Sequence, residues 1–242
     1  MVVFGTSDVG MVRKDNQDSY MFDIESLDVG FAVVCDGMGG ASGGKTASST
    51  AVNVFSSHLA SISKNKSEDE IKSYLENAVK AANSDIYNMS VNDEDLNGMG
   101  TTLVSSVIVN NSAYFVNVGD SRAYLIRDGA LKRITKDHSA VQDLVDQGLL
   151  TEAQARNHPN KNIITRALGV TNDVEFDMFF EKLKKDDIIL LCSDGVTNYI
   201  DDLEIPFEIL RQHSVEAVPQ KLIELANSRG GADNSTVVVI KI

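Results

Sequence analysis

The chain has 242 residues, 43% of them hydrophobic, enough to bury a sizeable core in one domain. A formal net charge of −13 argues against nonspecific nucleic-acid binding, which needs a basic surface. Two cysteines are too few for a disulfide scaffold, and no apolar run reaches the roughly 18 residues of a membrane span.

Met1 to Gly10 lacks the basic-then-apolar pattern of a signal peptide, so a cytoplasmic chain is expected. Val2 to Thr6 reads as a short strand. The cluster Arg13-Lys14-Asp15-Asn16-Gln17-Asp18 lies between Val12 and the next apolar residues, Tyr20 to Phe22. Taken alone it is a solvated hairpin turn. It also offers Arg13 as an anion clamp, because a guanidinium holds a phosphate through two parallel hydrogen bonds.

Phe31 to Cys35 is an unbroken apolar run, the pattern of a strand buried on both faces. It ends on Asp36, followed by Gly37, Met38, Gly39 and Gly40. An ionised carboxylate at the margin of a core needs a cation or several donors. Glycines let backbone approach a ligand closely.

Thr46 to Ser63 reads as a packed helix. Ser67 with Glu70 is a capping-box pattern, and Ile71, Leu75, Ala78, Val79, Ala82 and Ile86 mark a second amphipathic helix. Met89 to Asn97 reads as a polar loop. Gly98-Met99-Gly100-Thr101-Thr102 leads into a strand, Leu103 to Val109. Asn110-Asn111 turns the chain, and Ala113 to Val118 returns. That strand ends in Gly119-Asp120-Ser121-Arg122. Ala123 to Ile126 continues extended, up to a tight turn at Asp128-Gly129.

Thr135 to Val170 is polar, with two helical pieces around Gly148 and a second capping box, Thr151 with Gln154. It reads as an inserted subdomain over the site. Asp177 to Glu181 is an alternating strand. Ile188 to Cys192 is a second fully apolar run and ends in Ser193-Asp194-Gly195. Glu208 to His213 and Leu222 to Ser228 are helical, with Pro206 and Pro219 at early helical positions. A glycine-bearing loop, Arg229 to Asn234, precedes the last strand, Ser235 to Ile242. No repeat or low-complexity tract divides the chain.

The informative feature is a set. Asp36, Asp120 and Asp194 each follow an apolar strand, and Asp233 precedes one. If those strands are neighbours, the carboxylates meet at one edge of the core and repel unless cations hold them. Oxygen ligands suit hard ions such as Mg²⁺ and Mn²⁺, and the four histidines match no zinc spacing. Two ions about 3.5–4 Å apart can activate a bridging water and stabilise both attacking and leaving oxygens. With an arginine nearby, the expected substrate is a phosphate ester.

Six motifs stand together: Arg13-x-x-Asn16-Gln17-Asp18, Asp36-Gly37-Met38-Gly39-Gly40, Gly98-x-Gly100-Thr101-Thr102, Gly119-Asp120-Ser121-Arg122, Ser193-Asp194-Gly195 and Asp233-Asn234-Ser235-Thr236. In type, order and approximate spacing the chain resembles the metal-dependent protein phosphatases of the protein phosphatase 2C type, in their bacterial serine/threonine form. The resemblance implies an α+β fold, a central β-sandwich of two antiparallel sheets with helices on both outer faces. It implies one catalytic domain over residues 1–242, with a flap subdomain at about 138–170. Carried over by position, Asp36 bridges two metals and the Gly37 carbonyl binds the first. Asp194 and Asp233 bind the second, and Asp120 with Asp194 forms an additional, weaker third-metal site. Asp18 acts through metal-bound water, and Arg13 holds the substrate phosphate.

The cofactors implied are Mn²⁺ or Mg²⁺. The substrates implied are phosphoserine and phosphothreonine in proteins, the enzyme opposing a bacterial serine/threonine kinase as a monomer. A catalytically weak relative that binds metal or phosphopeptide, and a hydrolase of small phosphate esters, are the alternatives. The chain departs from many eukaryotic members at Gln17, where Glu is common, and at Met38, where His is common. Without that histidine the leaving alkoxide lacks its usual proton donor. Ala41 and Lys45 also stand where more polar or acidic residues are expected.

Overall fold

Each long apolar run becomes a strand covered on both faces. The computed structural model describes residues 1–26, 28–59 and 62–242, the side chains of 41 and 42 excepted. The first strands are β1 (Val2–Asp8), β2 (Asp18–Ser26) and β3 (Val29–Met38), followed by helices α1 (Gly40–Leu59) and α2 (Glu68–Asn92). Then come β4 (Gly100–Thr101), β5 (Leu103–Val109), β6 (Ser112–Val118), β7 (Arg122–Arg127) and β8 (Ala130–Arg133). Short helices α3 (Ala140–Asp146) and α4 (Glu152–Arg156) precede β9 (Asp177–Lys182) and β10 (Ile188–Cys192). The chain ends with α5 (Asp194–Thr197), α6 (Ile205–Leu210), α7 (Val218–Ser228) and β11 (Ser235–Lys241).

One sheet runs β1-β11-β10-β7-β8 and the other β2-β3-β5-β6-β9, with β4 paired to β3; the pairings are antiparallel. The alternation along each strand divides its side chains between two cores. Ala32 and Val34 of β3 meet Ile189 and Leu191 of β10 and Val238 and Ile240 of β11 between the sheets. Val33 and Cys35 point the other way, onto Phe55 of α1 and Leu75 and Val79 of α2. Leu190, Cys192, Val237 and Val239 pack beneath Ile205 and Ile209 of α6 and Leu222 and Ile223 of α7. The layers are therefore helix, sheet, sheet, helix, and both faces of the central strands are dry. Each such Val, Leu or Ile contributes about 1.5–3 kcal/mol on burial.

Turn chemistry follows the residues. Asn110 and Asn111 take φ of 50° and 58°, and Asp128 and Gly129 take 52° and 78°. Two-residue hairpin loops of type I′ need positive φ at both central positions. Both expected capping boxes form, Ser67 with Glu70 and Thr151 with Gln154.

Several helix bounds differ from the sequence expectation, among them the start of α7, at Val218 and not Leu222. Helix α1 begins at Gly40, not Thr46, because its glycines let the first turns press against β3, and tertiary packing overrides propensity. It ends at Leu59; the expected extension to Ser63 crosses residues 60 and 61, outside the described residues, and Ile62 and Ser63 are not helical. Helix α2 continues through the supposed loop to Asn92, where buried Ser90 supplies the inner face and accepts a hydrogen bond from the Gly98 amide. Helix α6 starts at Ile205 and stops at Leu210. Exposed Phe207 and Leu210 blur its apolar period. The short α5 was not expected. Among the described residues no helix is long and apolar enough to cross a membrane.

Candidate metal centre

The carboxylates converge because antiparallel pairing brings their strand ends together. Asp18, at the start of β2, lies opposite Asp36 near the end of β3. Asp36 is fixed by its backbone: its amide donates to Thr102 Oγ1 at 2.9 Å, and its carbonyl accepts from the Thr102 amide at 2.9 Å and Thr101 Oγ1 at 2.9 Å. Asp120 follows Gly119, which turns at a φ of +96° at the end of β6. Asp194 opens α5, directly after β10. Asp233 lies one residue ahead of Asn234, whose carboxamide oxygen accepts from the Gln17 amide at 2.8 Å while its nitrogen donates to Val9 and Asp15 carbonyls. That side chain ties the Arg13 loop to the same edge.

Asp36, Gly37, Asp120, Asp194, Asp233 and Arg13 line one cavity of about 450 Å³. Asp18 lies behind it, 2% exposed. Its Oδ2 accepts from Ser193 Oγ at 2.7 Å and Thr236 Oγ1 at 2.6 Å, while its Oδ1 is buried without a partner. Asp194 Oδ2 accepts from Asn198 Nδ2 at 2.9 Å, and its Oδ1 is likewise buried and unpartnered. Arg13 stands at the rim, its Nη2 donating to Asp233 Oδ2 at 2.8 Å.

This crowding disfavours negative charge. Burial, then the carboxylates of Asp18, Asp194, Asp120 and Asp233, push Asp36 well above the ordinary carboxylate range. Burial and then Asp194 and Asp137 do the same to Asp120. Burial and then Asp233 raise Asp194. Asp18 is raised to about 6, chiefly by burial, against the lowering effect of its two hydroxyl donors. Unpartnered buried oxygens and mutually repelling carboxylates are what a cation would relieve. The donors are all oxygens, which fits Mg²⁺ or Mn²⁺. Among the described residues no group of three or more such side chains is already drawn into a set able to hold an ion. Asp233 is turned onto Arg13, Asp18 onto its hydroxyls and Asp194 onto Asn198.

The departures have structural counterparts. Lys45 Nζ donates to the Asp18 carbonyl at 2.7 Å, holding the start of β2 against α1. Gln17 Nε2 donates to the Gly40 carbonyl at 2.6 Å, work a neutral amide can do. Met38 lines the cavity and has no proton to give. The sequence reading gave no role to Thr102, Ser193, Asn234 or Thr236. Their only signal was adjacency to the aspartates within the quoted motifs.

Gly37 also has a steric reason. A Cβ there would lie 2.0 Å from the Gly44 carbonyl oxygen. Gly37→Ala is expected to cost about 3 kcal/mol by overpacking and to lower the melting temperature by about 10 °C. Thermal denaturation followed by circular dichroism reads this directly.

The family profile described as protein phosphatase 2C matches residues 12–224. A serine/threonine phosphatase stp of Listeria monocytogenes is 36% identical over 235 residues, covering 97% of this chain and 93% of that protein. The solved S. agalactiae serine/threonine phosphatase superposes with a TM-score of 0.92 at 35% identity, covering 100% of this chain and 99% of that one. The catalytic domain of the serine/threonine protein phosphatase PstP, solved in complex with two manganese ions, superposes with a TM-score of 0.84 at 36% identity, covering 98% and 96%.

Proposed function

The chain belongs to the protein phosphatase 2C family, and on that premise we propose that it hydrolyses phosphoserine and phosphothreonine in proteins at a binuclear Mn²⁺ or Mg²⁺ centre. The observation that carries this reading is the set of four aspartates facing one cavity with Arg13 at its rim.

In this reading Asp36, the Gly37 carbonyl, Asp194 and Asp233 would hold two divalent ions, and Asp18 would support them from behind. Asp120 and Asp194 also line an adjoining cavity of about 450 Å³, and together they would hold the additional, weaker ion. Bound divalent ions supply Lewis acidity, lowering the pKa of a water and neutralising phosphate charge.

The chain's own groups do the rest. Arg13 orients the phosphate ester with its planar fork, and Asp233 pre-sets the guanidinium at the cavity mouth. Ser193 and Thr236 hold Asp18 through Oδ2, which leaves its buried Oδ1 without a partner. Asn162 and Ile164, from the segment at about 138–170, line the same cavity as Arg13, which suits a flap that limits substrate access. The chain acts as a monomer against a cognate serine/threonine kinase. Its acidic charge and two buried free thiols suit the cytoplasm.

Arg13→Ala is expected to raise KM for p-nitrophenyl phosphate about tenfold, the equivalent of ~1.4 kcal/mol, with a smaller change in kcat. Arg13→Lys recovers little, because it lacks the bidentate fork. Steady-state kinetics in Mn²⁺ checks both. The substrate class is tested by phosphate release from phosphothreonine, phosphoserine and phosphotyrosine peptides beside p-nitrophenyl phosphate. Turnover of the first two in preference to the third is the expected result. Turnover of small esters alone makes the chain a small-ester hydrolase. No turnover by folded, Mn²⁺-bound protein makes it a binding relative.

A further inference from the structure

His138 lies outside the aspartate set and is built into its support. It is 6% exposed and lies just ahead of α3, and no sequence pattern singled it out. Its two faces do different work. The Nδ1 atom accepts from the Gly119 amide at 3.1 Å. The His138 amide donates back to the Gly119 carbonyl at 2.9 Å. Both polar groups of the residue preceding Asp120 are therefore bonded to one residue, with Asn117 Nδ2 adding a second bond to the carbonyl at 3.2 Å. Gly119 needs this restraint. At a φ of +96° its backbone samples a region that glycine alone enters freely, so nothing intrinsic fixes the turn that aims Asp120.

The ring's other nitrogen sets its tautomer. An Nδ1 that accepts leaves the proton on Nε2, which faces Asp177 Oδ2 at 3.2 Å. Arg166 Nη1, also near Nε2, donates to Asp177 Oδ1 at 3.2 Å, and its Nη2 pairs with Glu175 at 3.1 Å. Burial lowers the His138 pKa, which favours the neutral ring that this geometry needs. On the far side the His138 carbonyl accepts from the Thr165 amide at 2.8 Å. Next to it, Ser139 bridges to Ile164 and the Ala140 amide donates to Ile163. Ile164 and Asn162 line the aspartate cavity.

We infer that His138 is a positioning residue that holds the Gly119 turn, and through it Asp120, in register with the stretch from Asn162 to Ile164, whose residues Asn162 and Ile164 line the cavity. The inference deepens the proposed function and rests on its assignment of Asp120 as an ion ligand. His138 touches neither ion nor substrate in this account; it acts through the Gly119 backbone. Breaking the acceptor at Nδ1 frees the Asp120 turn and loosens the joint with the cavity-lining stretch from Asn162 to Ile164 together.

The test compares His138→Ala, His138→Asn and His138→Gln. An Asn oxygen falls near the position of Nδ1 and can accept from Gly119; a Gln oxygen falls near Nε2 and cannot. Amide hydrogen exchange at Gly119, read by NMR in metal-free protein, should accelerate in His138→Ala and His138→Gln and remain protected in His138→Asn. The Mn²⁺ concentration for half-maximal turnover should rise about tenfold or more in the first two and stay near wild type in the third. On an Asp120→Asn background His138→Ala should add nothing further. Equal Gly119 exchange in all four proteins overturns the inference, as does a His138→Ala effect that adds fully to that of Asp120→Asn. Wild type and Asp120→Asn with identical Mn²⁺ dependence overturn the Asp120 assignment instead, and Gly119 exchange then decides alone whether His138 holds the turn. Should His138→Ala fail to fold, His138→Asn against His138→Gln makes the same comparison.

Discussion

Asp36→Asn lowers Mn²⁺-dependent phosphate-ester hydrolysis by about 10³-fold, yet leaves the metal-free protein more heat-stable than wild type. The two effects share one cause. Asp36 is the carboxylate on which the other four bear, and its charged form is disfavoured by burial first and by Asp18, Asp194, Asp120 and Asp233 after it. The fold tolerates that carboxylate because the backbone around it is over-determined, by Thr101, Thr102 and the pairing with β2. An amide has the same shape and no charge to desolvate. Each kcal/mol of relieved repulsion raises the melting temperature by about 3 °C in a chain of this size. Loss of activity together with a higher metal-free melting point separates a ligand from a structural residue, whose removal would lower both. Scanning calorimetry in chelator and turnover in Mn²⁺ give the pair of numbers.

The pH dependence of stability reverses sign when Mn²⁺ is added. Asp18, Asp36, Asp120 and Asp194 all have folded-state pKa values above their unfolded ones. Such groups stabilise the fold fully below the unfolded value, near 3.9, and that contribution is lost as pH rises through the folded value. For Asp18 the folded value is about 6. Metal-free protein should therefore lose stability from about pH 4.5 to pH 7. Ions bind only the deprotonated ligands, so in saturating Mn²⁺ stability should rise over the same interval. At pH 7 an Mn²⁺ concentration one hundred times Kd adds about 2.7 kcal/mol. Melting curves at three pH values, with chelator and with Mn²⁺, show whether the slopes have opposite signs. Two parallel slopes would mean that the aspartates do not form the ion site.

How much of this could be read from the residues depends on how local the signal is. The strands built on apolar runs bounded by Gly, Asn and Asp were legible, whereas β2 (DSYMFDIES) and β8 (ALKR), which have no such run, were not. The sandwich was not legible from the runs themselves. FAVVC and IILLC read equally as buried parallel strands, and only the six motifs together pointed to two antiparallel sheets with helices outside. The start of helix α1 is hidden in the sequence because its first five residues are Gly, Ala or Ser, and the packing of Gly44 on Gly37 is a tertiary fact. The expected ligand residues could be named because each aspartate sits at a strand end. What holds them could not be named. The Ser193 and Thr236 hydroxyls on Asp18, the Asn234 clamp on the Arg13 loop and the His138 bond to Gly119 join residues far apart in the chain.

The most direct test of the central claim, that these aspartates form a divalent-cation centre, is Mn²⁺ binding to chelator-stripped protein followed by isothermal titration calorimetry. Wild type is expected to bind at least two ions per chain, and Asp36→Asn and Asp194→Asn a lower number. Wild-type protein that binds no Mn²⁺, or an Asp36→Asn variant that binds it as wild type does, would contradict that claim.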